Sequence, residues 1–235
     1  MLYLIGLGLD NGEITQKGLR ALEDVDRAFV EFYTNTENIS LEKLEEKTGK
    51  EIEKLSREEV ERNDKVLESA ESQNTAFLVS GDPLTATTHY DIKHRAEGKG
   101  IDVEVIHAPS IFVSIAETGL NVYKFGRTVT LPSDSAPESV TEYINKNDEI
   151  GLHSLILLDI DYPSNEAAQK LIDMDESLAD RETVVVERAN HKDQKINALT
   201  LQEAAENEFG STPHSIILTG EKSHKEDEFL EAYRE

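Results

Sequence analysis

The residues of this chain with chemistry in their side chains are seven histidines, one aspartate in a Gly-Asp-Pro turn and the threonines crowded behind it. The histidines are His89, His94, His107, His153, His191, His214 and His224. His89 and His94 stand five apart, which on a helix swings them roughly 140° from each other. No H-E-x-x-H spacing occurs, and neither a Walker A loop nor a G-x-S-x-G nucleophile elbow is present. The chain has no cysteine, so thiolate metal sites and disulfides are excluded and an intracellular home is the simplest expectation. What remains is a set of loops able to hold a ligand, without an obvious nucleophile and base.

Four loops qualify by position. "GLGLDNG" (6–12) follows an apolar run, and its glycines admit a ligand close to the backbone. A dinucleotide fingerprint G-x-G-x-x-G would need glycine where Asn11 stands, although Glu31 lies where a ribose-binding acid belongs, so a dehydrogenase stays as an alternative. "SGDPLTATTH" (80–89) reads either as a plain strand-to-helix turn, with Asp82 as N-cap and Pro83 at the first helical position, or as the polar wall of a ligand pocket. "HAPSI" (107–111) repeats the pattern with Pro109 and Ser110. In "STPHSIILTG" (211–220) His214 precedes a strand, where a lone histidine is more often a structural hydrogen-bonder than a catalyst.

These loops need elements to hold them. "LYLIGL", "RAFVEFY" (27–33), "TAFLVS" (75–80) and "IDVEVI" (101–106) are short, apolar and rich in β-formers, and read as strands. Between them lie helical segments: one capped by Thr15, one opened by Ser40, one running to Ser72 behind a Ser56–Glu59 capping box, and one ending near Glu97. This is β-α-β logic with parallel pairing. Ligands bind such sheets at the carboxyl ends of the strands. Past residue 112 the rhythm loosens, with strands expected at "RTVTL", "SLILLDI", "TVVVERA" and "SIILTG". The expectation is an α/β protein of two domains, 1–112 and 113–235.

The 235 residues suit that count at roughly 150 per domain. Apolar residues make up 37% and charged ones 31%, without a long apolar run or low-complexity tract, so neither a membrane span nor disorder is expected. The N-terminus lacks the marks of a secretory signal, and a cytoplasmic protein is expected. Acids outnumber bases 48 to 24, a net charge of −24, which argues against nucleic acid as a partner. The acids are scattered rather than gathered in a tail. Their mutual repulsion is weak where the Debye length falls to about 3 Å near 1 M salt, so a salt-loving cytoplasm is the expected setting.

In order along the chain, "MLYLIGLGL", "AFVEFYTN", "GDPLTATTH", "VIHAPSI", "TGLNVYKFGRTVTLP", "GLHSLILLDI" and "STPHSIILTG" resemble the diphthine synthase family, S-adenosylmethionine-dependent methyltransferases of archaea related to the tetrapyrrole methylases. "GDPLTATTH" and "YKFGRT" are the specific parts, and the likeness runs end to end. It implies two α/β domains of the tetrapyrrole methylase type with the cofactor in the interdomain cleft, in a homodimer. It implies methylation of the amino group of an aminocarboxypropyl-histidine on translation elongation factor 2, forming diphthine and leaving S-adenosyl-L-homocysteine. Carried over by position, the cofactor contacts are Leu9, Asp82, Thr85, Ser110, Ile111, Leu158, Ala189 and His214; no metal is implied. Glu31, Tyr33 and His107 are candidates, by location, for accepting the amine's proton. A related methylase with a porphyrinoid substrate is the other reading. The chain departs from the family at Thr85, at Asn190 where glycine is usual, at Thr212, and in a short 159–183 segment; asparagine tolerates positive φ best among non-glycine residues.

Overall fold

Alternation of buried side chains builds the first sheet, because successive strand residues point to opposite faces. In the computed structural model, which describes residues 1–10, 13–31, 40–61 and 63–234, the chain divides into two compact units, Met1–Val113 and Ser114–Glu235. In the first, β1 (Leu2–Gly6), β2 (Arg27–Glu31), β3 (Ile52–Leu55), β4 (Thr75–Val79) and β5 (Val103–Ile106) form one sheet of order β3-β2-β4-β1-β5. Every pairing in it is parallel. Helices α1 (Gln16–Asp24) and α2 (Leu41–Thr48) put Leu19, Leu22 and Leu44 against Ile5, Val30, Ala76 and Leu78. On the other face α4 (Lys65–Ser72) and α5 (Tyr90–Gly98) bring Val66, Leu67, Ala70, Ile92 and Ala96 onto Leu4, Phe29 and Phe77. A parallel sheet covered on both faces needs near-continuous apolar strands at its centre, as β1 and β4 are.

The Thr15 hydroxyl caps α1 by accepting from the Gly18 amide at 3.0 Å. Ser56 and Glu59 exchange the bonds of a capping box, but the helix they open, α3 (Arg57–Glu61), is one turn long. The single helix expected to reach Ser72 is therefore two helices. The strand β3 was not expected: its core shows only Ile52 and Leu55, with Glu53 and Lys54 between them. Charge on a strand at the rim of a sheet is a protection against further pairing, and Glu53 is paired with Arg27 at 2.7 Å. Residues 32–33 of the expected second strand lie outside the described residues, Tyr33 among them.

After α6 (Ile111–Ser114), the second unit holds β6 (Val129–Leu131), β7 (Ser154–Leu158), β8 (Glu182–Glu187), β9 (Lys195–Thr200) and β10 (His214–Leu218), in the order β6-β7-β10-β8-β9. Only β6 and β7 pair in parallel; β10 runs antiparallel to β7 and β8, and β8 to β9. Helices α7 (Glu138–Asp148), α8 (Ser164–Met174) and α9 (Leu201–Glu206) cover one face, packing Val140, Ile144, Leu171 and Leu201 around Leu131, Ile156, Val185 and Ile216. The last helix, α10 (His224–Leu230), starts at a Ser223–Glu226 capping box. β9 escaped the sequence reading because "KINALT" is half polar and follows β8 in a hairpin rather than through a helix. No helix among the described residues is long and apolar enough to cross a membrane.

Candidate functional site

Because β4, β1 and β5 are adjacent, the loops at their carboxyl ends meet. Gly8 and Gly81 exchange backbone bonds, Gly8 N–H to Gly81 O at 3.2 Å and Gly81 N–H to Gly8 O at 2.7 Å. Both have positive φ, +77° and +68°, where glycine carries no penalty. Gly6 serves contact rather than conformation: a Cβ there would stand 2.6 Å from Gly81 O and 2.7 Å from the Ala108 Cβ. Leu9, Pro109 O and the Ser110 Cβ all lie within 4.0 Å of where a Gly81 side chain would begin. Three expected site positions, Leu9, Ser110 and the Asp82 turn, thus gather around two glycines. Glu13 was not singled out in the sequence. Its carboxylate accepts from the Leu9 amide at 2.5 Å and the Asp10 amide at 3.2 Å, and so fixes the first loop.

Asp82 is buried and fully engaged by its own chain. Oδ1 accepts from the Leu84 amide at 3.0 Å and the Thr85 hydroxyl at 2.9 Å; Oδ2 takes His107 Nδ1 at 2.7 Å and the Ala108 amide at 3.4 Å. The bond to Leu84, two residues on, is an Asx turn. Asp82 is therefore not a helix N-cap, since α5 begins only at Tyr90. Burial alone would raise this carboxyl, but the Leu84 amide, the His107 ring and the Thr85 hydroxyl outweigh it and hold the group below its ordinary value. Thr85 spends its hydroxyl on Asp82. Thr87 spends its own on the buried His89, Oγ1 to Nδ1 at 2.8 Å, and the His89 ring meets Phe77 edge-on. Between these two clamps Ala86 is held at φ +54°, a conformation that costs an alanine about 1–2 kcal/mol.

Ser110 is buried and its carbonyl accepts from Val113 at 3.0 Å, opening the single turn α6 at Ile111. Of the proton-acceptor candidates, Glu31 is buried at the end of β2, and His107 exposes 70% of its side chain beside Asp82.

In the second unit Leu158, Ala189 and His214 share one end of the mixed sheet, because His214 pairs with Glu187 and Ser215 with Leu157. His214 is buried; its Nδ1 accepts from the Ser164 amide at 3.1 Å, so Nε2 carries the proton and donates to Ser211 O at 3.1 Å. With both ring nitrogens engaged, the ring holds the 211–214 turn against α8. Arg188 and Asn190 flank Ala189 at φ +48° and +64°. Among described residues, non-glycine positive φ occurs only at Ala86, Arg188 and Asn190, all in loops expected to hold the cofactor, which is where such strain tends to collect. Thr212–Pro213 is a cis bond.

Two buried histidines set an acid limit. Burial lowers His214 and, against the pull of Glu226, also His153, whose Nδ1 accepts from Gly220 at 2.8 Å while Nε2–H reaches Glu226 at 3.1 Å. The unfolded chain protonates such rings near pH 6.5 while the folded chain does not, so stability falls as the pH drops below about 6.5. Glu226 and Asp82 add a second loss below the ordinary carboxylate range, since both are lowered when folded. Urea midpoints in molar salt, where net charge is screened, are expected to decline from pH 7.5 to 5 and more steeply below 4; a flat profile would contradict the neutral, buried rings.

Similarity to known proteins follows the same outline. The family model described as tetrapyrrole (corrin/porphyrin) methylases matches residues 1–205. Diphthine methyl ester synthase of Schizosaccharomyces pombe is 39% identical, covering 99% of this chain and 94% of its own. Diphthine synthase of Methanocaldococcus jannaschii is 37% identical over 98% and 97%, and the human diphthine methyl ester synthase 38% over 95% and 91%. A crystal structure of diphthine synthase superposes with a TM-score of 0.92 at 32% identity, covering 99% of this chain and 95% of that one.

Proposed function

The chain belongs to the tetrapyrrole methylase family, and from that premise we propose that it is an S-adenosylmethionine-dependent methyltransferase of diphthamide biosynthesis. Its substrate in this reading is the amino group of the aminocarboxypropyl-histidine of elongation factor 2, and its product is diphthine. The observation that carries the reading is the match at 36–39% identity along nearly the whole chain to enzymes named for diphthine and its methyl ester. The two names favour a second reading of the product, in which a carboxylate is methylated as well.

The described loops fit such a cofactor. Gly81 leaves an uncrowded space beside Leu9 and Ser110, and Ala86 and Thr88 face solvent with backbone groups presented by a clamped turn. Leu9, Asp82, Thr85, Ser110 and Ile111 in the first unit would hold it, with Leu158, Ala189 and His214 carrying the contacts of the second. Asp82 acts by tying the loops together, since its oxygens are already occupied. S-adenosylmethionine supplies a methyl group already activated on a sulfonium. The protein has then mainly to orient two reactants, and orientation can contribute about 7–11 kcal/mol. The want of a nucleophile suits this chemistry.

The finer setting belongs to the same proposal: an archaeal, cytoplasmic homodimer whose net charge of −24 is adapted to molar salt, where like-charge docking of a protein substrate is screened. Titration calorimetry in molar salt is expected to show S-adenosylhomocysteine binding and no NAD binding. NAD binding with indifference to S-adenosylhomocysteine would point to the dehydrogenase, and neither ligand binding to folded protein would remove the methyltransferase reading.

A further inference from the structure

The amine that this reading assigns as substrate carries a proton at neutral pH, and the proton must leave before the nitrogen lone pair can attack. One group at the ends of the first unit's strands is arranged to take it. His107 follows β5 directly, three residues before Ser110, and its ring is largely exposed while its partner Asp82 is only 7% exposed. The 2.7 Å contact joins Nδ1 to Oδ2 of Asp82. That carboxylate also accepts bonds from two backbone amides and one hydroxyl, so it is an acceptor and Nδ1 must be the donor. The neutral ring is thereby fixed as the Nδ1–H tautomer, with the Nε2 lone pair outside the pair. Among the described residues no other charged side chain pairs with the ring.

We propose that His107 is the general base of the methyl transfer and that Asp82 orients it. The proposal rests on the methyltransferase reading. In the step, the ammonium proton of the substrate passes to Nε2; the freed lone pair forms the new N–C bond as the S–C bond breaks, and its electron pair stays on sulfur, leaving the thioether. The imidazolium that results lies against the ionised Asp82, then returns its proton to water before the next methylation. A carboxylate behind a histidine fixes the ring's tautomer and stabilises its charged form, and a positioned base contributes about 10²–10⁴ in rate. Glu31 is fully buried at a strand end, which suits it less well to exchanging protons with solvent in each cycle.

The test separates base from scaffold with His107→Asn, whose side-chain amide can donate to Asp82 as Nδ1 does but cannot accept a proton. Expected are S-adenosylhomocysteine affinity within about threefold of wild type, kcat for the first methyl lowered about a hundredfold or more, and loss of the acidic limb of the wild-type pH–rate profile. Nitrogen NMR of the ligand-free wild-type protein is expected to find the neutral ring protonated on Nδ1. Imidazole added to His107→Gly should restore part of the rate, which keeps the test open should His107→Asn misfold. A variant that transfers methyl at the wild-type rate with an unchanged pH profile, or a ring protonated on Nε2, overturns the proposal. Failure of the wild-type protein to bind S-adenosylhomocysteine would instead strike at the methyltransferase reading on which it stands.

Discussion

Asp82→Ala is expected to destabilise the protein by about 3 kcal/mol and to weaken S-adenosylhomocysteine binding tenfold or more, about 1.4 kcal/mol for each decade. The carboxylate ties the turn after β4 to itself through Leu84 and Thr85, and to the loop after β5 through His107 and Ala108. Removing it strands a half-buried amide and hydroxyl, each costing up to about 1–3 kcal/mol when left without a partner. It also unties two loops that hold three expected cofactor positions, Thr85, Ser110 and Ile111. Asp82→Asn should fall between the two proteins, because Oδ1 survives as an acceptor while an NH2 replaces the oxygen facing Ala108 N–H and His107. Chemical denaturation and calorimetry on the three proteins measure both effects. Wild-type stability and affinity in Asp82→Ala would show that the carboxylate does not knit the loops.

Gly6→Ala is expected to be nearly as damaging, by steric means alone. The new methyl would meet Gly81 O at 2.6 Å, the Ala108 Cβ at 2.7 Å and Pro83 Cδ at 3.0 Å, and no flexible side-chain end is there to move aside. Overpacking of this kind costs about 1–3 kcal/mol. Relief must come from parting the loops after β1, β4 and β5, so ligand affinity should fall together with the unfolding midpoint. Gly49→Ala is the control. Gly49 too has positive φ, +67°, but its Cβ would meet nothing within 4 Å and it ends α2, so it should lose stability while keeping affinity. Unchanged binding in Gly6→Ala would mean that the close approach of these loops is not what shapes the site.

The parallel sheet of the first unit was legible because its central strands are buried on both faces: "LYLIG" and "AFLV" are apolar without interruption, and the capping signals at Thr15 and Ser56 mark helix starts that the structure contains. β3 and β9 were not legible, since an edge strand such as "IEKL" and a hairpin partner such as "KINALT" carry polar side chains at half their positions and lose the apolar signature. The mixed pairing of the second sheet was equally hidden, because strand direction is decided by connections rather than by composition. At the site, the Gly-Asp-Pro turn announced a special loop with two readings, and the structure removes the helix-capping one, since α5 begins only at Tyr90 and Asp82 closes an Asx turn instead. The Asp82–His107 pair spans 25 positions of sequence, and only the adjacency of β4, β1 and β5 brings its loops together. Glu13 was within reach of sequence reasoning, standing three residues beyond Asp10 in a glycine-flanked turn, where a carboxylate can fold back on loop amides.

The strain at Ala86, Arg188 and Asn190 has a related lesson. Arg188 and Asn190 flank Ala189, and Ala86 follows Thr85; alanine and arginine give no hint of positive φ in a sequence. Only Asn190, of the residue type that tolerates positive φ best after glycine, carried a readable sign, and it stands at φ +64°.

The central claim is tested most directly by incubating the protein with S-adenosylmethionine and elongation factor 2 bearing the aminocarboxypropyl-histidine in molar salt, then counting and locating methyl groups on the modified peptide by mass spectrometry. Methylation of the amino nitrogen is the predicted result, and a further methyl on the carboxylate would select the methyl ester product. An unmodified peptide, from protein that is folded and binds S-adenosylhomocysteine, would contradict the assignment of this substrate.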